Sequence, residues 1–223
     1  MLDSEYRLTA RCWRWLRRFR HRRGYGVHSP YAFRFITDVV YQESAYYAYA
    51  TIHERLTTAN WYAMRYDAES GISEKDLRLL FRLANFCQPR QIRLHGSRDT
   101  VENCLRLAVP LAFASAKTPD FAHADSGTHE GRHGDNLPSK TDVSRARIYI
   151  YVEDARNCPP PPPTFPAGSM MVVRGIHRNA EAEARWKALK ESEKVTLTFD
   201  LGRFGVALSV EKMVKQDYIV CYF

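Results

Sequence analysis

The sequence predicts an α/β fold with a mostly parallel β-sheet and an antiparallel edge formed by the closing strands. From residue 91 onward, short apolar runs of strand length alternate with segments whose apolar residues recur at helical spacing. Three runs near 194–199, 204–210 and 217–222 follow one another without an intervening helix, which is typical of antiparallel strands. With 223 residues and 45% hydrophobic content, the chain can bury a sizeable core.

Local signals place the other elements along the chain. A helix from Ser73 starts with a capping serine and an acidic first turn and closes before Pro89. Residues 71–223 form the predicted α/β domain, and residues 1–70 a helical extension with helices at 5–22 and 30–42, the latter capped by Ser29 and Pro30. The remaining predictions are strands at 91–95, 111–115, 147–152 and 170–174, and helices at 99–109 and 180–192.

Two connections have unusual composition. Residues 117–145 are polar and rich in histidine and acids, but no helical pattern holds these ligands on one face, so we predict a long mobile loop and no metal site. Residues 157–166 contain five consecutive prolines and predict an extended polyproline II crossover. Docking of a proline-reading partner is the alternative for this segment.

Positive charge is concentrated near the start of the sequence. Residues 1–34 carry nine arginines against two acids, and Leu8, Cys12, Trp15 and Phe19 form an apolar stripe at helical spacing. The helix could bind an anionic membrane surface or RNA through residues 7–23, or dock its stripe on its own domain. The arginines predicted to meet an anionic surface are Arg11, Arg14, Arg17, Arg18 and Arg22.

Cysteine usage and hydropathy bear on the compartment. The five cysteines are scattered and lack C-x-x-C spacing, which favours a reduced cytoplasm over a disulfide framework. No apolar run approaches the roughly 20 residues of a spanning helix, and the basic start has no signal-peptide core. We therefore predict a cytoplasmic protein.

Two separated blocks resemble a bacterial family of class I S-adenosylmethionine-dependent methyltransferases that carry an N-terminal helical extension. Residues 26–49 contain the string GVHSP, an aromatic amphipathic helix and a tyrosine cluster. Residues 170–223 are similar to the family in strand order and in individual positions, namely Ile176, His177, Trp186, Asp200 and Gly205. The resemblance implies a Rossmann-like methyltransferase fold with antiparallel C-terminal strands and S-adenosylmethionine as cofactor.

The chain departs from the family where the resemblance places the cofactor. Where the family has an acid at the end of the first strand, this chain has Leu94. Where the family has the later glycine of the following loop, this chain has Thr100. The stretch after 111–115 has no acid that could bind the ribose of the cofactor. Where the family has two acids after its fifth strand, this chain has Arg174 and Gly175. We therefore expect an eroded site without cofactor, in a pseudoenzyme with a binding or scaffold role.

Other functions remain open from the sequence. An active methyltransferase with a non-standard site would contact cofactor through Gly96 and Ser97, and through Glu153 or Asp154. His177 is the weak candidate for a catalytic base, against the alternative of a structural loop histidine. A third function is surface association through the arginine-rich helix, and the closing strands offer an edge for a homo-oligomer.

Overall fold

The computed structural model describes residues 27–66, 72–96, 99–114, 147–163 and 165–222. Several predictions lie outside these residues: the basic helix 5–22 with the five arginines predicted to meet an anionic surface, Ser97, and the loop 117–145. Within the described ranges, every helix is too short or too polar to cross a membrane.

The described residues form six α-helices and six strands. The helices are α1 (Pro30–Phe35, continued by a π-helical turn over Ile36–Val40), α2 (Ala48–Tyr66), α3 (Glu74–Cys87), α4 (Asp99–Ala108), α5 (Pro110–Ala114) and α6 (Ala180–Glu191). The strands are β1 (Gln91–His95), β2 (Ile148–Val152), β3 (Met170–Arg174), β4 (Leu197–Asp200), β5 (Phe204–Leu208) and β6 (Gln216–Ile219). A short 3₁₀ turn spans Ala155–Asn157.

The six strands form one mixed sheet in the order β1-β2-β3-β5-β4-β6. Strands β1, β2 and β3 are parallel, β4 and β6 are parallel to each other, and β5 is antiparallel to both of its neighbours. The predicted α/β class and mostly parallel sheet are confirmed, and the arrangement is compatible with a Rossmann-like fold.

Of the predicted antiparallel edge, the antiparallel pairing of β4 with β5 is confirmed, but its position at the edge is wrong. The reversed strand β5 lies inside the sheet, and the last strand, β6, is parallel to β4. One side of β4 is already paired with β5, so the chain leaving β5 crosses to the other side of β4. It enters beside Leu197, at the start of β4, and therefore runs in the same direction.

The predicted strand 111–115 is also wrong, because Pro110–Ala114 is helical. Pro110 fits the first turn of a helix, and the leucine and alanines that follow are strong helix formers. The alternation of large and small apolar residues that resembles a strand here therefore belongs to a helical turn. The stretch that follows, residues 115–146, lies outside the described residues.

The N-terminal helices differ from the sequence prediction in two ways. The helix predicted at 30–42 is α1 followed by the π-helical turn, and Ser29 Oγ accepts from Ala32 N as its cap. Helix α2, after the tyrosine cluster, was not predicted at all. Of the cluster, Tyr49 is buried against Phe81, whereas Tyr47 is exposed.

Apolar side chains cover both faces of the sheet. On β2, the two tyrosines Tyr149 and Tyr151 belong to the core under helices α1 to α4, and the alternate residues belong to the core under α6. The last described residues join the first core: Tyr41 donates to Cys221 O, and Tyr222 donates to Lys75 O at 3.1 Å. Segments distant in sequence therefore close the same core.

Candidate functional site

Polar residues meet where β1 to β4 end and β5 begins, an edge we term the carboxyl edge. Gly96 follows β1, Glu153 and Asp154 follow β2, and His177 follows β3. Asp200 is the last residue of β4. In sheets of this kind, ligands bind outside the carboxyl ends of parallel strands.

Gly96 provides the turn at the end of β1. Its φ is +68°, in the left-handed region that favours glycine. A Cβ built there would lie 3.8 Å from Glu153 Cβ, an ordinary contact, so the backbone conformation rather than space selects glycine. The neighbouring Glu153 N donates to His95 O at 3.0 Å, which ties the loop after β2 to the end of β1.

Glu153 is held by two side chains of the sheet. Its Oε1 forms an ion pair with Arg174 Nη1, and its Oε2 accepts from Tyr151 Oη at 2.5 Å. The Glu153 and Arg174 side chains are only 14% and 20% exposed. Burial, reinforced by the negative charge of Glu153, raises the pKa of Tyr151, so the phenol stays protonated and donates.

Asp154 is engaged by the turn that follows it. Its carboxylate accepts from Arg156 N at 3.0 Å and from Arg156 Nη2 at 2.5 Å, and so caps the 3₁₀ turn. The hydrogen bond from the Arg156 side chain lowers the pKa of Asp154, despite partial burial. Arg178 Nη1 lies 3.9 Å from the same carboxylate.

His177 lies between two carboxylates. Its Nε2 is 2.7 Å from Asp200 Oδ2, and its Nδ1 is 2.8 Å from Glu183 Oε1. Each ring nitrogen therefore has a carboxylate within hydrogen-bond distance. Asp200 Oδ1 also accepts from Gly202 N at 2.9 Å. The histidine thus connects the loop after β3 to β4 and α6.

The structure adds an acid that sequence reasoning did not place near the sheet. The almost fully buried Asp76 of α3 pairs with Arg203 Nη1 at 2.8 Å, and Arg203 lies in the loop between β4 and β5. Asp76 also accepts from Ser73 N at 3.2 Å and completes a capping box with that serine. The spacing Ser73-x-x-Asp76 was the sequence signal for this acid, and it indicates a helix start only.

The carboxyl edge therefore consists of acids and bases that pair with one another. Among the described residues, no group of three or more histidine, cysteine, aspartate or glutamate side chains is arranged to hold a metal ion. Comparisons of the chain with known protein families, curated proteins and solved structures find no match. The fold therefore places the chain among α/β proteins with a mixed sheet that is compatible with a Rossmann-like fold.

Proposed function

We propose that this chain is a non-catalytic, methyltransferase-like protein whose S-adenosylmethionine site has eroded and whose fold serves a binding or scaffold role. The resemblance of residues 26–49 and 170–223 to the methyltransferase family, together with the mixed sheet, supports the proposal. The observation that carries it is the engagement of both Glu153 oxygens by Arg174 and Tyr151.

In the family that the chain resembles, an acid near the first strand contacts the amine of the cofactor. An acid next to the end of β1 here is Glu153, whose N donates to His95 O at 3.0 Å, and its carboxylate already pairs with the guanidinium of Arg174. A cofactor amine would have to displace this largely buried partner. Removing one partner of a buried ion pair typically costs about 3–5 kcal/mol, which corresponds to a loss of about two to four orders of magnitude in affinity.

The other candidate residues also have partners within the protein. Asp154 is bound by Arg156, and both ring nitrogens of His177 face carboxylates. A general base needs a ring nitrogen directed at the substrate, and both nitrogens of His177 are directed at carboxylates of the protein instead. Methyl transfer depends mainly on holding donor and acceptor in line, so loss of cofactor binding is sufficient to abolish it.

Calorimetric titration of the full chain with S-adenosylmethionine and S-adenosylhomocysteine tests the proposal. We expect no saturable heat up to millimolar ligand, with an active class I methyltransferase as positive control. Saturable binding at micromolar concentration, or methyl transfer to any acceptor, would overturn it in favour of the active enzyme with a non-standard site.

Two variants test the role of Arg174 separately. Arg174→Ala frees Glu153 for an external amine, so we expect weak, saturable cofactor binding that Glu153→Gln in the same background removes. Circular dichroism establishes that both variants remain folded. If Arg174→Ala binds no better than wild type, the ion pair is not what excludes the cofactor, and the erosion lies in the loop after β1.

A further inference from the structure

A second surface lies at the opposite end of the sheet, where the parallel strands begin. Arg90 precedes β1 and Arg147 precedes β2, and the end of α3 and the face of α1 adjoin them. We call this surface the amino-edge patch and define it by Tyr31, Arg34, Phe86, Arg90 and Arg147. It is separate from the carboxyl edge, so a role for it does not depend on the proposed loss of the cofactor.

Direct contacts connect the patch from one element to the next. The rings of Tyr31 and Phe86 are 6.4 Å apart and meet edge to face. Arg147 Nη1 donates to Cys87 O at 3.2 Å, next to Phe86, and Arg90 N donates to Arg147 O at 3.0 Å. Arg34 lies three residues after Tyr31 on α1, which places both on one face of the helix.

The three arginines of the patch have no acidic partner within the part of the chain that the structure describes. The arginine–carboxylate pairs found there all involve other arginines. The nearest acid along α1 is Asp38, and its carboxylate accepts from Thr37 Oγ1 at 2.7 Å. Among the described residues, the patch therefore presents positive charge without an acidic partner.

Arg147 is held in place by a glycine. A Cβ on Gly168 would lie 2.7 Å from Arg147 Nε, so the guanidinium packs directly over this residue, whose φ is +83°. A larger residue at 168 would displace the guanidinium as well as strain the turn. The orientation of one cation of the patch is thus built into the backbone.

The aromatic part of the patch is fixed rather than protruding. Phe86 is 40% exposed, and Phe35 holds its ring from below at 5.4 Å, again edge to face. Membrane-binding surfaces insert mobile apolar side chains into the headgroup region, whereas a ring that is packed against two aromatic neighbours and still partly exposed offers a platform on which a base can stack.

We infer that the amino-edge patch binds single-stranded nucleic acid, with the arginines on phosphates and Phe86 against a base. Cationic grooves combined with stacking aromatic rings are the recurring way of binding single strands without strict sequence preference. The positive charge of residues 1–26 would strengthen the attraction of any polyanion to the protein.

The test is fluorescence anisotropy of the full chain with a labelled oligouridylate of about 12 nucleotides, a length within the range such sites cover. Salt is varied from about 50 to 200 mM, because phosphate contacts make log K fall linearly with log salt. The patch variant is Arg34→Ala with Arg90→Ala. The matched control is Arg185→Ala with Lys187→Ala, which removes the same charge from exposed positions of α6, on the other face of the sheet.

We expect the patch variant to bind about tenfold more weakly and its salt slope to fall by about 1.4, corresponding to two phosphate contacts on a single strand. The control should change affinity by less than about threefold, since it alters only net charge. Phe86→Leu, which keeps an apolar side chain but loses the stacking face, should weaken binding by about fivefold or more.

Two outcomes would overturn the inference. Equal weakening in the patch and control variants would mean that net charge alone attracts RNA. Absence of RNA binding together with patch-dependent binding to vesicles of phosphatidylglycerol and phosphatidylcholine would assign the surface to a membrane instead. Circular dichroism and thermal melting of each variant establish that the fold is retained.

Discussion

The indole ring of Trp186 lies against the backbone of Gly205. Trp186 is on α6 and Gly205 is on β5, and a Cβ built on the glycine would be 2.6 Å from the six-membered ring of the indole. Both residues are among the matches on which the resemblance predicted from the sequence rests, and that resemblance stays a prediction. The structure brings the two matches into contact and shows that the glycine is needed for space.

Gly205→Ala is therefore expected to lower the free energy of unfolding by about 1–3 kcal/mol, the usual cost of overpacking a filled core. Urea unfolding followed by circular dichroism measures it. In the background of Trp186→Leu, the same glycine substitution should cost much less, because the ring is gone. Equal cost in both backgrounds would mean that the ring is not the cause.

The buried Arg82 is expected to be a major contributor to stability. Its Nε donates to Val39 O at 2.7 Å, its Nη2 to Val40 O at 3.1 Å and its Nη1 to Tyr49 Oη at 3.0 Å. It thus satisfies carbonyls at the end of the π-helical turn. Arg82→Met should cost about 2–5 kcal/mol in chemical denaturation, since these buried groups lose their partners.

Hydrogen exchange measures where in the chain Arg82→Met lowers stability. Arg82→Met should speed exchange of the amides between residues 36 and 41 more than elsewhere, because the turn loses its anchor to α3. Arg82→Lys keeps the charge but not the planar fork, and should fall between wild type and methionine. Uniform acceleration over the whole chain would contradict a local role.

Replacing each of the two tyrosines of β2 by phenylalanine is expected to affect the free energy of unfolding differently. Tyr149 is fully buried and its hydroxyl lacks a hydrogen-bond partner in the described structure, whereas Tyr151 donates to Glu153. Tyr149→Phe should be neutral or stabilising by about 1 kcal/mol, since it removes an unsatisfied polar group. Tyr151→Phe should destabilise by about 1.5–3 kcal/mol, as for a bond to a charged group.

Thermal and chemical unfolding of the two phenylalanine variants, run side by side, check this pair. Both variants delete one oxygen from the same strand, so each is the control for the other. A loss of stability in Tyr149→Phe equal to that in Tyr151→Phe would indicate that the Tyr149 hydroxyl has a partner after all.

Asp154 gives a prediction about pH. Its pKa lies below the ordinary 3.8 because Arg156 hydrogen-bonds to the ionised form. A depressed folded-state pKa means that the pair stabilises the fold above pH 3.8, and that this contribution is lost as pH falls through the lower folded-state value. Carbon-13 NMR titration of the carboxyl group should show a higher pKa in Arg156→Ala, and an unchanged value would remove Arg156 as the cause.

Much of the framework could be predicted because local signals and tertiary packing agree. One dominant sequence signal predicts each of three elements: the capping box of Ser73 and Asp76, the buried strand at 148–152 and the apolar strand at 170–174. The segment 110–114 has two competing signals, and helix-forming residues after Pro110 prevailed over apolar alternation. Helix α2 could not be predicted because its apolar and polar residues give no strong period.

The contacts of the carboxyl edge could be predicted only in part. The sequence named Gly96, Glu153, Asp154 and His177 as separate candidates, and the structure shows that each follows a strand at the same edge of the sheet. The sequence could not pair Glu153 with Arg174, or Asp76 with Arg203, because those pairs depend on strand register and loop geometry. Side-chain partners of this kind are set by the assembled sheet rather than by neighbours in sequence.

The contacts made by residues 221 and 222 have a consequence for the rate of folding. They join positions 180 and 147 residues apart, and β5 must also insert between β3 and β4 before β4 can enter the sheet. Long loops must therefore close before the core gains these contacts, which slows folding in proteins of high contact order. We expect refolding in milliseconds to seconds rather than microseconds, with the final segment docking late.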